Sequence, residues 1–136
     1  MIIVKSPLRV SFFGGGTDMP KFFREYGGEV ISCTINKYIY TSIKKLDHTF
    51  EENFRLNYST SERVQNIKDI KNNIIRESLK LMQNKHRLYI STIADVPLRS
   101  GLGSSSSFTA SLISGLYKLN DNKISKNELA KLACKL

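Results

Sequence analysis

The sequence predicts an α+β fold, in which a sheet rich in antiparallel strands packs against helices. Alternating apolar stretches, which are typical of β-strands, follow one another directly over part of the chain. Elsewhere the apolar residues recur at the three- and four-residue spacing of amphipathic helices. The resulting order is one strand, a helix, several strands, a helix, a strand and two helices, which indicates an α+β sandwich. A length of 136 residues suffices for one domain with its own core.

The first half of the chain predicts strands interrupted by one short helix. Residues 2–13 alternate and form the first strand. Asp18 then stands at the N-cap of a helix with Pro20 in its first turn, and Gly27 ends that helix. The remaining elements are two adjacent antiparallel strands at 29–35 and 37–46, split at Asn36–Lys37, and a short strand at 54–58.

The second half predicts helices around one further strand. A polar connector at 59–72 precedes a helix that presents Ile75 and Leu79 on one face. A strand at 87–95 leads through a Gly/Ser-rich stretch into a longer helix. That helix carries Phe108, Leu112, Leu116 and Leu119 on its apolar face.

The last helix is predicted to begin at a capping box, because Ser125 is followed three residues later by Glu128. It runs through Leu132 and Ala133 and is still in register at Leu136, the final residue. We therefore expect that the chain is truncated and that this apolar stripe drives self-association, such as a homodimer. The fragment alone is expected to be inactive.

The net charge and the lengths of the apolar runs indicate which kinds of ligand or partner the protein can bind. Lysine and arginine outnumber aspartate and glutamate by 21 to 12, so the net charge is +9 and anionic partners are favoured. The basic residues form no stripe and have no interleaved aromatics, and we expect no nucleic-acid binding. The apolar runs are far shorter than the ~20 residues of a membrane helix, and the start has no signal-peptide pattern. With lone cysteines at Cys33 and Cys134, the expected location is the cytoplasm.

Residues 97–108, PLRSGLGSSSSF, carry the strongest functional signal. A strand, a glycine-rich loop and a helix in that order present free backbone N–H groups to an anion. Gly101 and Gly103 permit positive φ and a close approach of phosphate to the main chain, and four serines follow where one N-cap serine would suffice. The stretch lacks the lysine of a Walker A loop and the third glycine of a dinucleotide fingerprint. It therefore predicts a phosphate site of another kind.

Two motifs resemble those of the GHMP kinases, the family of galactokinase, homoserine kinase, mevalonate kinase and phosphomevalonate kinase. PLRSGLGSSSSF is similar to the family's phosphate loop, P-x-x-x-G-L-G-S-S-[AS]-[AS]. Residues 6–20, SPLRVSFFGGGTDMP, resemble the N-terminal motif P-x-R-[VI]-S-F-x-G-G-G-T-D of the sugar-kinase branch, closest to D-glycero-D-manno-heptose 7-phosphate kinases. The resemblance implies the GHMP kinase N-terminal fold, which is similar to a ribosomal-protein domain, and an ATP-dependent sugar kinase.

The resemblance also implies roles for residues of both motifs. ATP with Mg²⁺ is the expected phosphoryl donor, a heptose 7-phosphate is the expected acceptor, and the γ-phosphoryl group is transferred in line to a sugar hydroxyl. Ser104 is the expected magnesium ligand, and Arg9 is expected to act as a catalytic residue near the transferred group. The expected sugar-binding residues are Gly14, Gly15, Gly16, Thr17 and Asp18. The expected ATP phosphate-binding residues are Pro97, Ser100, Gly101, Leu102, Gly103, Ser104, Ser105 and Ser106.

Several alternatives stay open from the residues alone. Asp18 suits a helix N-cap as well as a sugar ligand, Arg9 suits an exposed strand position, and Ser106 and Ser107 suit plain packing. The protein could also be a kinase of fucose or of an unphosphorylated hexose, or a basic module that binds RNA. In the family that the motifs resemble, a magnesium-binding glutamate and a catalytic aspartate lie on segments that would follow Leu136. Residues 1–136 are therefore expected to be the N-terminal domain, without the C-terminal one.

Overall fold

The computed structural model describes residues 1–97 and 100–136. The strands in these residues are β1 (Ile2–Phe13), β2 (Ile31–Lys45), β3 (Phe54–Asn57), β4 (Ser61–Val64) and β5 (Leu88–Ala94). The helices are α1 (Pro20–Tyr26), α2 (Asn73–Leu81), α3 (Ser104–Leu119) and α4 (Lys126–Ala133), with a 3₁₀ turn at Ile67–Asp69. One sheet has the strand order β1-β2-β5-β3-β4, in which only β3 and β5 are parallel neighbours. The predicted α+β architecture with an antiparallel-rich sheet is confirmed.

One long strand, β2, replaces the two strands that the sequence predicts on either side of Asn36–Lys37. This pair lies in a shift of the β1–β2 register, which falls between Pro7 and Arg9 of β1. The shift contains only Leu8 on the β1 side but three residues on the β2 side, so the polar pair occupies a β-bulge. The prediction of two strands is wrong because the chain stays extended through the bulge.

A strand and a 3₁₀ turn occupy the segment 59–72, which the sequence predicts as a polar connector. β4 lies at an edge of the sheet, where Ser61 and Arg63 are exposed and Glu62 is buried. An edge strand built from polar and charged side chains shows no apolar alternation, so its pattern does not reveal it. The connector prediction is therefore wrong over β4 and over the 3₁₀ turn.

The core lies between the sheet and the helices α2 and α3, as the apolar spacing predicts. The residues Ile75, Leu79, Leu112 and Leu116 of these helices are at most 1% exposed. Gly115 lets α3 approach the sheet closely, because a Cβ atom at this position would stand 2.7 Å from Cδ1 of Ile43. α3 contacts both β1 and β2, and this packing fixes the position of the Gly/Ser-rich loop at its N-terminal end. No helix within the described residues combines the length and the apolar character that spanning a membrane requires.

The helix α4 begins at the predicted capping box and packs against α3. The hydroxyl of Ser125 accepts a hydrogen bond from the backbone N–H of Glu128, whose carboxylate accepts one from the N–H of Ser125. The helix ends at Ala133, and the N–H of Lys135 donates to the carbonyl oxygen of Leu132 in a tighter final turn, so the prediction that the helix continues to Leu136 is wrong. Leu132 and Ala133 are half-buried. The apolar stripe of the last helix is thus partly covered within the chain.

Candidate functional site

The two sequence motifs meet in the folded chain and form an open cleft of about 560 Å³. The N-terminal motif contributes Arg9, Ser11, Gly15, Gly16 and Asp18, and the later motif contributes Ser100, Gly101, Gly103, Ser104, Ser105 and Ser106, with Val30 as an apolar edge. The cleft therefore combines an arginine and an aspartate with serine hydroxyls and glycine backbone. Its volume is typical of a small-molecule site.

The Gly/Ser-rich loop presents the N-terminus of α3 to the cleft. Gly101 and Gly103 adopt φ angles of +72° and +73°, a left-handed backbone that glycine takes without strain. α3 begins directly after Gly103, and no side chain of the described residues caps its first turn. The first N–H groups of a helix have no partners within the helix, and the positive end of the helix dipole lies among them. The loop thus offers hydrogen-bond donors and partial positive charge to an anionic ligand.

The four consecutive serines divide between the cleft and the protein interior. Ser104, Ser105 and Ser106 line the cleft, whereas Ser107 is only 8% exposed. The hydroxyl of Ser107 donates to the carbonyl oxygen of Pro7 at 2.8 Å and so ties the first turn of α3 to β1. Ser107 therefore has the packing role that its sequence leaves open, while Ser106 is exposed.

Arg9 lies against the loop and is held there by its backbone. Its N–H donates to the carbonyl oxygen of Leu102 at 3.0 Å, which is possible because β1 is an edge strand with backbone groups that face away from β2. The side chain packs over Gly103, where a Cβ atom would stand 3.1 Å from Cγ and 3.3 Å from Nε of Arg9. Its Nη1 donates to the hydroxyl of Ser11. The guanidinium charge is thus positioned beside the N-terminus of α3.

The glycine turn after β1 is packed backbone against backbone. Gly14 has a φ of +85°, and a Cβ atom there would stand 1.8 Å from the carbonyl oxygen of Glu29. The Thr17 hydroxyl lies 2.7 Å from the carbonyl oxygen of Gly14 and 3.0 Å from that of Glu29, to which it donates. Gly14 and Thr17 therefore hold the turn, and among the described residues it is Gly15 and Gly16 that reach the cleft.

Asp18 contributes a carboxylate to the cleft and does not cap α1. Met19 occupies the N-cap position, and Oδ1 of Asp18 accepts a hydrogen bond from the N–H of Gly16 at 3.0 Å. The prediction of an N-cap at Asp18 is wrong, because this carboxylate turns back to the glycine turn and not forward to the helix. Asp18 is exposed and lines the cleft, where it can accept hydrogen bonds from a ligand.

A second cavity, mostly apolar and of about 250 Å³, adjoins the cleft and shares Ser104 and Ser105 with it. Its other lining residues are Ile39, Tyr58, Ser59, Ile74, Thr92, Ala94, Val96 and Phe108. They come from the sheet, the β3–β4 hairpin, α2 and α3, so four parts of the fold meet there. Within the described residues, the buried Oγ1 of Thr92 has no hydrogen-bond partner. The two spaces together suit a ligand with one anionic part and one largely apolar part.

The side-chain groups of the cleft that could coordinate a metal suit a Mg²⁺ ion that binds together with phosphate groups. They are oxygens of Asp18 and of serines, and Mg²⁺ in phosphate sites takes one or two protein oxygens, while phosphates and water complete its coordination. Among the residues that the structure describes, no group of three or more His, Cys, Asp and Glu side chains could hold a metal ion alone. Ser104 would hold the ion, which supplies positive charge against the phosphates.

The structure brings together most of the residues that the sequence predicts for the site. The predicted residues outside the cleft lining are Gly14, Thr17, Pro97 and Leu102. Leu98 and Arg99 of the loop motif lie outside the described residues. The sequence reasoning missed Ser11 and the whole apolar cavity. Ser11 stands two residues after Arg9 on one strand, and this two-residue period could have predicted it.

Comparison with known proteins identifies the family. A model of the GHMP kinases N terminal domain matches residues 67–136, just over half of the chain. The chain belongs to the GHMP kinase family. A D-glycero-α-D-manno-heptose 7-phosphate kinase of Campylobacter jejuni subsp. jejuni serotype O:2 is 31% identical to this GHMP chain, over 97% of the chain and 42% of that kinase.

Solved structures of GHMP kinases share the fold of the chain. A D-glycero-D-manno-heptose 1-phosphate kinase from Bacteriodes thetaiotaomicron superposes with a TM-score of 0.81 at 21% identity, over 99% of this chain and 47% of that one. The Methanococcus jannaschii mevalonate kinase superposes with a TM-score of 0.72 at 23% identity, over 97% of this chain and 44% of that kinase. The predicted GHMP N-terminal fold is confirmed, and the chain spans less than half the length of these relatives.

Proposed function

We propose that this chain is the ATP- and sugar-binding domain of a kinase that transfers the γ-phosphoryl group of ATP to a sugar phosphate. The observation that carries the proposal is the cleft in which Arg9, Asp18 and the uncapped N-terminus of α3 line one space. Phosphoryl transfer requires positioned hydrogen-bond donors and positive charge around the phosphates. The arginine and the helix N-terminus supply both, and the aspartate suits an acceptor that carries hydroxyl groups.

The nucleotide would extend from the cleft into the apolar cavity. Its phosphates would lie at the N-terminus of α3, and its purine would lie beyond Ser104 and Ser105, where Tyr58 and Phe108 offer aromatic walls. Because the cleft and the cavity share two serines, one elongated ligand suits them better than two separate ones.

The chemistry of this domain would consist mainly of positioning and charge stabilisation. A bond forms between the sugar oxygen and the γ-phosphorus, the bond from that phosphorus to the bridging oxygen breaks, and ADP leaves. Arg9 would donate to oxygens of the transferred group, and Asp18 would orient the sugar through its hydroxyls. The proton of the attacking hydroxyl passes to a base, for which we propose an aspartate on the segment that follows Leu136.

We propose D-glycero-D-manno-heptose 7-phosphate as the acceptor and the 1,7-bisphosphate as the product, on a route to nucleotide-activated heptose for cell-surface polysaccharide. The identity of 31% to a heptose 7-phosphate kinase supports this acceptor. The net charge of +9 also favours an anionic substrate. A heptose 1-phosphate, fucose and an unphosphorylated hexose are the competing acceptors.

We also propose that residues 1–136 are the N-terminal domain of a longer protein that acts in the cytoplasm, without nucleic acid or membrane as a partner. The chain covers 42% of the heptose 7-phosphate kinase. Apolar side chains near the N-terminal motif are exposed, namely Phe12, Phe13, Met19, Phe22, Phe23, Tyr26 and Ile31. A surface of this kind is usually covered in the working protein. The isolated chain would therefore self-associate and would lack phosphoryl-transfer activity.

Thermal unfolding of the complete protein tests nucleotide binding. ATP with Mg²⁺ is expected to raise Tm, since a ligand at a hundredfold excess over its Kd stabilises the folded state by about 2.7 kcal/mol. Gly103→Ala is expected to abolish this rise, because the new methyl group strains a backbone at φ +73° and presses on Arg9. Gly27→Ala is the matched control, since Gly27 has the same φ but open space at its Cβ position and does not line the cleft. It should keep the rise.

The same experiment separates the kinase from a basic RNA-binding module. RNA that binds through lysines and arginines would raise Tm at low salt and lose this effect as salt increases. A salt-sensitive rise with RNA together with no response to ATP would contradict the proposed function.

A further inference from the structure

Glu62 is a buried carboxylate that the proposed reaction does not use. It lies on β4, is 8% exposed and accepts hydrogen bonds from the hydroxyl of Tyr58, from the N–H of Lys71 at 2.7 Å and from that of Asn72 at 3.3 Å. Burial alone raises the pKa of Glu62, but these hydrogen bonds outweigh burial and hold the pKa below its ordinary value. The carboxylate is therefore charged at neutral pH, and its charge is stabilised by three donors.

The partners of Glu62 belong to two walls of the apolar cavity. Tyr58 lines the cavity from the β3–β4 hairpin, and its N–H donates to the carbonyl oxygen of Thr60 at 2.9 Å, which closes the hairpin turn. Asn72 is the N-cap of α2, and Ile74 in the first turn of α2 lines the cavity as well. One carboxylate thus joins the hairpin to the start of α2 and sets the distance between two walls.

The phosphate side of the site has a different support. The N-terminus of α3 is held by the contacts of Ser107 with Pro7 and of Leu102 with Arg9, and Glu62 takes part in neither. A change at Glu62 should therefore alter the cavity and leave the phosphate loop in place.

We propose that Glu62 is a positioning residue for the nucleotide base, which keeps the apolar cavity open to a purine by holding Tyr58 and the start of α2 in place. The inference rests on the proposed function, because it takes this cavity as the base site. A preformed wall spares a ligand the cost of ordering it. If the cavity is open only part of the time, the apparent affinity of every ligand that needs the cavity falls in proportion to the open fraction. The affinity of a ligand that binds only in the cleft does not change.

The test compares ATP with tripolyphosphate, which has no base, in calorimetric titrations of the complete protein with Mg²⁺. Glu62→Ala is expected to raise the Kd of ATP about tenfold and that of tripolyphosphate by no more than about twofold. Tyr58→Phe keeps the ring but removes the hydroxyl, and it is expected to raise the Kd of ATP about threefold without changing that of tripolyphosphate. Glu52→Ala is the matched control, because Glu52 is also 8% exposed, pairs with Arg55 and lines neither the cleft nor the apolar cavity.

The outcomes separate this inference from the proposed function. If Glu62→Ala raises the Kd of both ligands equally, or raises neither Kd, the positioning role is wrong while nucleotide binding stands. If Glu62→Ala does not fold, the same comparison of the two Kd values is made with Tyr58→Phe, and equal changes or no change would again show that the positioning role is wrong. If the unsubstituted protein binds tripolyphosphate as tightly as ATP, the cavity holds no base and the inference fails. If it binds neither ligand, the proposed function itself is wrong.

Discussion

Replacing Arg9 by methionine is expected to lower kcat/KM of the complete kinase about a thousandfold. Methionine has a similar reach but carries neither the charge nor the N–H donors that would stabilise the phosphoryl group in the transition state. The effect should be large because the guanidinium is already positioned, by packing over Gly103 and by its hydrogen bond to Ser11. Initial rates over a range of ATP and sugar phosphate concentrations measure the loss.

Arg9→Lys is the control for this substitution. Lysine keeps the positive charge but lacks the planar set of donors, so kcat/KM of Arg9→Lys should be only about tenfold higher than that of Arg9→Met. The backbone hydrogen bond between Arg9 and Leu102 is available to both variants, and an unchanged Tm would show that the loop is still held. Full activity of Arg9→Met would place the arginine outside the reaction.

Replacing Ser104 by alanine is expected to lower kcat by about two orders of magnitude, since a hydroxyl proposed to hold Mg²⁺ is lost. Ser104 lines the cleft at the first position of α3. The loss should be partly restored as the Mg²⁺ concentration is raised, because a weakened ion site fills at higher concentration. Measuring kcat at saturating ATP across a magnesium series tests both points.

Ser107→Ala is the matched control in the same loop. Its hydroxyl bonds to Pro7 and not to the cleft, so the substitution should reduce the free energy of unfolding by about 1 kcal/mol and leave kcat almost unchanged. Similar losses of kcat in Ser104→Ala and Ser107→Ala would mean that the loop has been placed one or more residues out of register.

The sequence predicted the elements whose own apolar pattern decides their structure. The faces of α2 and α3 are buried as their spacing indicates, and the capping box starts α4 where Ser125 predicts it. The patterns that reveal them are local, because residues three or four positions apart lie on the same face of a helix. Elements of this kind could be assigned without knowing the rest of the fold.

The sequence failed where a distant partner decides the structure. Asn36–Lys37 form a bulge and not a turn because β1 lies alongside with two residues fewer. β4 exists because β3 pairs with it, although its own side chains are polar. Asp18 bonds back to Gly16 and not to the helix. One usable signal was Pro7, since a proline within a strand indicates an edge or a bulge, and Pro7 has both beside it.

The same distinction between local and distant interactions decides which parts of the site could be predicted from the sequence. The cleft was largely predictable because glycine and serine at this spacing are typical of phosphate-binding loops, and this loop forms one side of the cleft. The apolar cavity was not predictable, because its walls come from the sheet, the hairpin, α2 and α3. Its residues look like ordinary core residues in the sequence, and only the tertiary packing leaves a space among them.

The proposed reaction is tested most directly by ADP formation in a coupled assay with the complete protein, ATP and Mg²⁺. The acceptors to compare are D-glycero-D-manno-heptose 7-phosphate, a heptose 1-phosphate, fucose, galactose and no sugar. We expect rapid ADP release with heptose 7-phosphate, phosphorylation at its anomeric hydroxyl and little release with the other acceptors. Equal turnover of unphosphorylated sugars would contradict the proposed acceptor. ADP release that does not depend on any sugar, or no release at all, would contradict the assignment of this cleft to sugar phosphorylation.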